Sequence, residues 1–363
     1  FLVFPVWLSR IAQLCYTDKK MERRTINMST TIHVSSDSAA DTPFHSINEA
    51  LLSLPCDSSA PVTIALSPGI YYEKVTVRHP HVTIVGTGTS PADTIIRYDD
   101  YANFIMSDGK KRGTFRSYTL FVDAHDVTLR NLTVENSSGD SETHGQAIAL
   151  YADGDRFTAD CCRLIGHQDT LFTAPLPPKE LQPDGFLGPK QTAPRTMGRH
   201  YYKNCYICGD VDFIFGGATA YFEDCTIESL PRKEQEQNDR NTSTNASGGF
   251  IHGYVTAAST PEGEEYGYVF SHCRLISNGC PDGSVYLGRP WREYAHTVFL
   301  DCSFGPHINP ALFHDWNKEA ARKTIFYAVN DSSFQERAPF VRLLTPEEAE
   351  HFSREKVLGG KWD

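Results

Sequence analysis

The sequence has no excess of positive charge and no long apolar run. Its 363 residues carry 34 lysines and arginines against 45 aspartates and glutamates, which gives a net charge of −11 at pH 7. A nucleic-acid-binding protein needs a basic surface, so this balance argues against a nucleic-acid partner. No apolar stretch approaches the roughly 18 residues that a membrane-spanning helix requires. We therefore expect no membrane span.

Several catalytic signatures are also missing. The chain has no Gly-x-Ser-x-Gly elbow, no His-Glu-x-x-His motif and no phosphate-binding Gly-x-x-x-x-Gly-Lys-Ser/Thr loop. The segment Gly86 to Gly88 lacks the third glycine of a dinucleotide fingerprint and is typical of a turn. The sequence therefore gives little support to serine-elbow, zinc-protease or nucleotide chemistry, and we expect neither a metal nor a cofactor.

The N-terminal segment does not fit the pattern of the rest. It opens with an apolar stretch, Phe1 to Leu8, and a charged stretch follows from Asp18 to Arg24. A signal peptide places its charge before the apolar core, which is the reverse order. We expect residues 1–28 to be a disordered extension or a start-site artefact, and residues 29–363 to form one domain. As the chain stands this indicates the cytoplasm, and export is left open.

The ten cysteines do not indicate a disulfide framework, because of where they stand in the sequence. Five of them share the pattern of a polar residue, Cys, any residue and an apolar residue, and Leu132 takes the place of the cysteine in an earlier segment. The five are Cys162, Cys205, Cys225, Cys273 and Cys302. A position that takes Leu or Cys is typical of a small buried apolar site. Cys205 and Cys208 have the Cys-x-x-Cys spacing of one half of a zinc site, but no second pair stands at metal-ligand spacing. We therefore predict reduced thiols in the core.

The segments around these positions form an internal repeat. Each copy is short, rich in Val, Ile, Thr, Phe and Tyr, and bounded by turn residues, which is typical of a strand. The intervals between copies fit the coils of a parallel β-helix with inserted loops. The longest interval, from Cys162 to Cys205, contains a proline-rich stretch, Pro175 to Thr196, whose removal leaves one coil. We predict an all-β, single-stranded parallel β-helix, capped near its start by a helix over Phe44 to Leu54.

Two aspartates stand at the same offset from neighbouring copies of the repeat. Asp169 lies seven residues after Cys162, and Asp212 lies seven residues after Cys205. Adjacent strands are about 4.8 Å apart, so the two carboxylates are expected to face each other at about that distance. Like charges so close raise one pKa, which divides the pair into an acid and a base or nucleophile. The alternative is two unrelated surface acids in turns, the usual place of aspartate.

The neighbours of the pair narrow the chemistry without settling it. Gln146 precedes Gln168 by the length of one coil, and two amide donors beside carboxylates favour stabilisation of an oxyanion. Arg289 suits a fork with Asp212, and Trp291 suits stacking on a sugar. Carboxylates about 5 Å apart are also the geometry of a retaining glycosidase. A lyase, a non-catalytic polysaccharide-binding β-helix and an esterase or thioesterase of another substrate also stay open.

Six segments, taken in order, resemble the pectin methylesterases, a family of carbohydrate esterases. They are Gly69 to Val75, Gly113 to Ser117, Gly145 to Leu150, Gly166 to Phe172, Asp210 to Gly216 and Leu287 to Trp291. The resemblance extends over about residues 30 to 350. It implies a right-handed parallel β-helix that acts on methyl-esterified pectin without metal or organic cofactor, and we expect a monomer. Compared with the plant enzymes of the family, the proline-rich stretch is longer, and we expect it to overhang the cleft.

By position, the resemblance assigns a role to each candidate residue. It makes Asp212 the nucleophile that attacks the C6 carbonyl, and Asp169 the acid that protonates leaving methanol and then activates water. It makes Gln146 and Gln168 the oxyanion donors, and Arg289 the residue that orients Asp212. The aromatic residues expected to contact the sugar are Trp291, Phe172, Phe215 and Tyr254.

Overall fold

The computed structural model of the chain describes residues 30–55, 60–233 and 249–360. Nearly all of its regular structure is strand, and the strands pair in parallel into three sheets. None of the helices in the described residues is long and apolar enough to cross a membrane. The expected N-terminal extension, residues 1–28, lies outside the described residues and stays a prediction.

The three sheets, named A, B and C here, hold 11, 8 and 7 strands. Sheet A consists of β1 (Thr30–Val34), β2 (Val62–Leu66), β5 (Val82–Gly86), β8 (Thr128–Arg130), β11 (Phe157–Asp160), β14 (Arg199–Lys203), β17 (Thr219–Glu223), β20 (Tyr268–Ser271), β23 (His296–Leu300), β25 (Phe326–Val329) and β26 (Val341–Leu343). Sheet B consists of β3 (Gly69–Tyr72), β6 (Thr94–Tyr98), β9 (Thr133–Asn136), β12 (Arg163–Ile165), β15 (Tyr206–Gly209), β18 (Thr226–Ser229), β21 (Arg274–Ser277) and β24 (Ser303–Phe304). Sheet C consists of β4 (Val75–Val77), β7 (Leu120–Asp123), β10 (Leu150–Asp153), β13 (Leu171–Thr173), β16 (Val211–Gly216), β19 (Gly253–Ala258) and β22 (Val285–Gly288).

From β2 to β24 the chain visits sheets A, B and C in turn, so one complete coil contributes one strand to each sheet, and β25 and β26 extend sheet A. Strands of successive coils then lie side by side, which is the parallel β-helix that the repeat predicts and, in its right-handed form, the fold that the resemblance implies. The long interval from Cys162 to Cys205 is one coil as predicted, because Arg163 of β12 pairs with Tyr206 of β15. The proline-rich stretch is therefore a loop inserted between two stacked coils.

The bend from sheet A to sheet B explains the repeated motif of a polar residue followed by cysteine. In six successive coils it takes two residues, and the first has a left-handed φ between 50° and 54°. These first residues are Asn131, Cys161, Asn204, Asp224, His272 and Asp301. Asn and Asp adopt this conformation at the least cost, and His follows them. The second residue of each bend turns into the core.

We call these second residues the cysteine column. Its members on successive coils are Leu132, Cys162, Cys205, Cys225, Cys273 and Cys302. All but Cys302, which is partly exposed, are buried in the main core cluster. The eight cysteines of the described residues are all free, so the predicted reduced thiols are present there. The interior is stacked in the same way, because Phe222, Phe270 and Phe299 lie on successive coils with ring centroids 4.4 Å apart.

The helices are short and lie at the ends of the coil stack and in its loops. They are α1 (Ile47–Leu52), α2 (Ser141–His144), α3 (Pro346–Ala349) and α4 (Arg354–Leu358), with 3-10 turns at Pro91–Asp93, Thr114–Arg116, Glu319–Lys323 and Glu350–Phe352. Helix α1 begins three residues later than predicted. Ser46 accepts the Glu49 N–H as an N-cap, and Phe44 instead forms a parallel bridge with Val34. Its buried face covers the first coils.

Candidate active site

A row of aromatic side chains on the outer face of sheet C forms the base of a cleft. Phe121, Tyr151, Phe172 and Phe215 are aligned on β7, β10, β13 and β16. Neighbouring ring centroids in this row are 4.6 to 4.8 Å apart. The cleft above the row has a volume of about 330 Å³. The row gives the cleft a rigid base, because each ring is held between its neighbours.

Asp169 and Asp212 lie side by side in this cleft. Leu171 of β13 pairs with Ile214 of β16, so the two aspartates, each two residues earlier, share the register predicted from the repeat. The backbone N–H of Asp169 donates to the carbonyl oxygen of Val211 at 3.1 Å. Only 8% of Asp169 and 6% of Asp212 is exposed. Both carboxyl groups therefore line the cleft while being largely removed from water.

The backbone turns both aspartates towards the cleft. Asp169 has a φ of 65° and Asp212 a φ of 51°, a left-handed conformation that Asp accepts more readily than most residues. The pairing of β16 with β19 shifts here, so that Asp212 and Phe213 together oppose Val255. A bulge of this kind re-aims a side chain and is common beside active sites. The strand itself thus presents the Asp212 carboxylate.

Arg289 binds Asp212 through two of its three guanidinium nitrogens, in the fork that the sequence suggests. Its Nε donates to Oδ1 at 2.8 Å and its Nη2 donates to Oδ2 at 2.7 Å. The guanidinium carbon lies 3.9 Å from the ring centroid of Tyr254 and 3.8 Å from that of Trp316. These two aromatic rings therefore hold the guanidinium in position for its two hydrogen bonds to the carboxylate.

The two carboxyl groups differ in their electrostatics. Burial raises the pKa of Asp169 well above its usual range, and the negative charges of Asp212 and Asp210 raise it further. Arg289 opposes this shift, yet it binds only Asp212 directly. The pair is therefore unequal, because burial and the neighbouring negative charges favour a proton on Asp169, whereas the Arg289 fork holds Asp212 in place.

Gln146 and Gln168 both line the cleft beside the pair. In this coil Leu150 pairs with Leu171, and the Ala147 N–H donates to the Gln168 carbonyl oxygen. If the same register is continued towards the N-terminus of both segments, Gln146 lies opposite the residue before Gln168. The predicted alignment of the two glutamines was therefore wrong by one residue. Both amides still lie on the cleft wall, where their N–H groups are available to an oxyanion.

A third buried carboxylate belongs to Asp210, two residues before Asp212. Asp210 is 1% exposed and accepts hydrogen bonds from the Ser141 hydroxyl at 2.8 Å and from the Val211 N–H at 2.6 Å. The ring of His167 lies 3.2 Å from the same carboxylate, and this hydrogen bond raises the pKa of His167. His167 and Asp210 precede Asp169 and Asp212 by two residues each, so their contact joins the two segments that carry the pair.

The structure brings two of the four predicted sugar contacts to the cleft surface. Trp291 and Phe215 line the cleft. Phe172 has no exposed surface, because its neighbours in the aromatic row and Phe115 cover it. Tyr254 is 2% exposed and lies under Arg289. These last two residues support the wall and the catalytic arginine instead of facing a ligand.

Several cleft residues were missed by the sequence reasoning. Trp316 lies on Arg289, and Lys318 donates to the carbonyl oxygen of Pro290 at 2.7 Å, which ties down the turn that carries Arg289. Phe115 and Phe186 close one wall with Trp291, at centroid distances of 6.2 to 6.4 Å. Two signals were available, because Phe115 lies inside one of the six matching segments and Phe186 lies inside the proline-rich stretch that was expected over the cleft.

The proline-rich stretch forms part of the cleft, as the resemblance implies. Its residues Leu181, Gln182, Gly185 and Phe186 line the cavity. Arg195 organises the loop by donating to four of its backbone carbonyl oxygens, at distances of 2.7 to 3.3 Å. The loop is therefore a structured wall.

The described residues contain one group with the composition of a metal site, and it lies away from the cleft. His81, His125 and Asp126 stand at the bend from sheet C to sheet A, whereas the catalytic pair stands at the bend from B to C. Arg156 already binds the Asp126 carboxylate and, with His125, lowers its pKa to about 2. A guanidinium on the shared carboxylate disfavours a cation there. The cleft, in contrast, is lined by two carboxyl groups, two amides and a guanidinium, which are groups suited to acid–base chemistry.

Comparison with known proteins places this site in a family. The pectinesterase family model matches residues 31–176 and 190–360 and leaves 177–189, inside the proline-rich stretch, unmatched. Pectinesterase 31 of Arabidopsis thaliana is 33% identical over 342 residues, which cover 92% of this chain and 93% of that protein. Among solved structures, pectin methylesterase PemA from Erwinia chrysanthemi has a TM-score of 0.71 at 27% identity, over 93% of this chain and 98% of that one. The pectin methylesterase from carrot has a TM-score of 0.72 at 25% identity, over 93% and 95% of the two chains.

The fold and the carboxylate pair are thus those of a β-helical carbohydrate esterase. The chain belongs to the pectinesterase family. As a member of that family it is a carboxylic ester hydrolase, and the resemblance read from the six segments is confirmed.

Proposed function

We propose that this protein hydrolyses the C6 methyl esters of homogalacturonan, with Asp212 as the nucleophile and Asp169 as the acid and base. The observation that carries the proposal is the unequal carboxyl pair in the cleft. One member is bound by the Arg289 fork, and the other is buried with a raised pKa. The names of the related proteins support pectin as the substrate.

In the first step an Asp212 oxygen attacks the C6 carbonyl carbon. A carboxylate has about four lone-pair directions, and Arg289 uses two of them, so a lone pair remains for the new bond. The carbonyl oxygen becomes an oxyanion, which the Gln146 and Gln168 amides stabilise by donating hydrogen bonds. The arrangement suits acyl transfer, because neutral donors meet a charge that develops only in the transition state.

Asp169 then completes the step as a general acid. The bond between C6 and the methoxy oxygen breaks, the Asp169 proton passes to that oxygen, and methanol leaves an anhydride between Asp212 and the uronate. The ionised Asp169 now takes a proton from water, whose oxygen attacks C6 and releases Asp212 as a carboxylate. Asp169 regains its proton, and the new uronic acid ionises into solvent. A raised pKa suits both roles, since the group must hold a proton and return it.

The mechanism requires only side chains of this chain. The catalytic residues come from neighbouring coils of one β-helix, which supports a monomeric enzyme acting as one domain over residues 29–363 without metal or organic cofactor. The same carboxylate spacing would also suit a retaining glycosidase, so the products must decide between these reactions.

The test is to incubate the purified chain with highly methylated pectin and measure three products in parallel. Methanol and one released proton per methanol are expected, with no new reducing ends and no unsaturated uronate. New reducing ends would indicate a glycosidase, and unsaturated uronate would indicate a lyase. Either result in the absence of methanol would overturn the proposal.

A further inference from the structure

The proline-rich loop, Pro175 to Thr196, holds its shape largely through its own contacts. Within the described residues, the hydrogen bonds between backbone groups of residues 177–196 run from one loop residue to another. Arg195 adds four bonds from its side chain to carbonyl oxygens of the same loop. A loop that is bonded mainly to itself is expected to behave as a unit. Its position over the cleft therefore depends on the side chains that join it to the coils.

Two stacked carboxylates, separate from the catalytic pair, lie on the outer face of sheet C. Asp123 of β7 pairs in register with Asp153 of β10. Each stands two residues after a ring of the aromatic row, Phe121 or Tyr151, and so lies on the same face of the sheet. Adjacent strands are about 4.8 Å apart, which brings the two carboxylates close together. Their mutual repulsion makes this position favourable for a cation.

Lys190 of the loop supplies that cation. Its Nζ atom lies 2.7 Å from Oδ1 of Asp123 and 3.2 Å from Oδ2 of Asp153. Less than a third of each of the three side chains is exposed. Although burial favours loss of the Lys190 proton, the hydrogen bonds and charges of the two carboxylates raise its pKa. A charged lysine shared by two largely buried carboxylates is a stronger contact than an ion pair in open solvent.

Other polar contacts between the loop and the coils are more exposed. Asp184 lies 3.7 Å from Lys110, and both side chains are more than half exposed to solvent. The guanidinium of Arg292 donates to the carbonyl oxygen of Lys179 at 3.2 Å, also in an exposed position. Exposed ion pairs contribute little, because water and salt screen them. Lys190 is therefore the best protected of these charged contacts.

The loop carries a ring that completes the wall of the cleft. Phe186 stands four residues before Lys190, and its ring centroid lies 5.8 Å from that of Phe115 and 6.2 Å from that of Trp291. Because the loop coheres, a change at Lys190 is transmitted to Phe186. The ion pairs of Lys190 and the position of the aromatic wall are thus coupled.

We propose that Lys190 and the carboxylates of Asp123 and Asp153 form a latch, and that the proline-rich loop is a strap which this latch holds closed over a bound pectin chain. The strap opens as a unit when the ammonium group leaves the two carboxylates, and it closes when the group returns. A long polymer can then enter the cleft from the side instead of being threaded from one end. The three residues are positioning residues, because they act on the substrate through the loop. For the identity of the polymer, this inference rests on the proposed function.

The first test measures opening of the strap without any substrate. Lys190→Gln removes the charge of the latch, so chymotrypsin should cut the folded variant inside the loop, after Leu181 or Phe186, about tenfold faster than the wild type. Lys190→Arg keeps the charge and is expected to restore most of the resistance. Lys179→Gln is the matched control, since it removes an exposed charge from the same loop, and it should be cut at the wild-type rate.

The second test separates binding from chemistry. In Lys190→Gln the KM for methanol release from highly methylated pectin is expected to rise roughly three- to tenfold, while kcat stays within about twofold of the wild type. Asp123→Asn/Asp153→Asn breaks the latch from the sheet and should raise KM by a similar factor. Combining both changes should have no greater effect than either alone, because they remove the same contact.

Several results would contradict the latch. Cleavage of Lys190→Gln at the wild-type rate would overturn the inference, and so would equally fast cleavage of Lys179→Gln. A fall in kcat with an unchanged KM would show that the loop acts on the chemistry and is not a strap. If the wild type releases no methanol, the proposed function fails, whereas the cleavage rates still decide whether the latch exists.

Discussion

The cysteine column and the catalytic pair are built in the same way and have opposite consequences. In both, neighbouring coils place residues of one kind next to each other, as with Cys162 and Cys205 in the column and Asp169 and Asp212 in the cleft. In the column the neighbours are small and weakly polar, so stacking fills the core. In the cleft the neighbours are carboxyl groups, and burial together with the negative charge of Asp212 raises the pKa of Asp169.

The comparison shows what a parallel β-helix does with a repeated residue. Its register forces contact between equivalent positions, whatever their chemistry, because adjacent strands are about 4.8 Å apart. When the repeated residue is apolar, the contact stabilises the fold. When it is charged, the contact shifts a pKa and makes a group reactive, and it lowers the stability of the fold. Arg289 limits that cost on one side only, by binding Asp212 and not Asp169. The two regions should therefore respond in opposite ways to substitution.

The largest effect is expected from Asp212→Asn. The amide has almost the same shape but is a poor nucleophile, so kcat for methanol release should fall by about 10⁴-fold or more. The matched control is Asp224→Asn, the same change at a residue with a φ of 53° in the bend before the column. That control should keep wild-type kcat and melting temperature. Substantial activity in Asp212→Asn would require another nucleophile.

Asp169→Asn is expected to cause the next largest loss of kcat and, at the same time, to increase the stability of the fold. Loss of the general acid is expected to lower kcat by about 10²–10⁴-fold. The raised pKa means that the wild type keeps its proton when folded but loses it when unfolded, at any pH between about 3.9 and the folded pKa. Stability of the wild type therefore falls relative to the variant as pH rises through that window.

The measurement is thermal melting of the wild type and Asp169→Asn as a function of pH. The two melting temperatures should be similar at acidic pH, where Asp169 is protonated in both states. The variant should melt a few degrees higher near neutral pH. A variant that melts lower at every pH would contradict the raised pKa.

Asp210→Asn is expected to shift a pH profile more than it lowers the maximal rate. The charge of Asp210 helps to raise the pKa of Asp169, and in the variant the amide oxygen can still accept from the Val211 N–H while the amide NH2 donates to the Ser141 hydroxyl oxygen. The alkaline limb of kcat/KM, where Asp169 loses its proton, should therefore move to lower pH. A limb at the wild-type position would show that Asp210 does not act on Asp169.

The smallest effect on activity is expected in the column. Cys205→Ala removes a buried sulfur and should lower the free energy of unfolding by about 1–2 kcal/mol, without changing kcat. Denaturant unfolding and methanol release measure the two quantities on one sample. A loss of kcat comparable to that of Asp169→Asn would show that the column and the cleft are coupled, and it would break the comparison.

The outcome for individual residues shows how far a sequence pattern reaches. The interval from Cys162 to Cys205 predicted the pairing of Asp169 with Asp212, because an insertion leaves the register of the flanking strands intact. Gln146 and Gln168 came out one position apart, since a coil that is one residue longer or shorter is equally compatible with the repeat. Tyr254 was expected at the sugar and lies under Arg289 instead, because Arg289, directly after β22 on the next coil, places its guanidinium over the Tyr254 ring.

The sequence by itself determined the β-helix, the cysteine column and the carboxylate pair. Each of these depends on a period along the chain, and parallel pairing converts a period directly into a contact. Only the tertiary structure decided the bulge that presents Asp212, the aromatic faces around Arg289 and the wall built by the proline-rich loop. These features join segments of unequal length that fold over one sheet face, and no period in the sequence specifies where such segments meet.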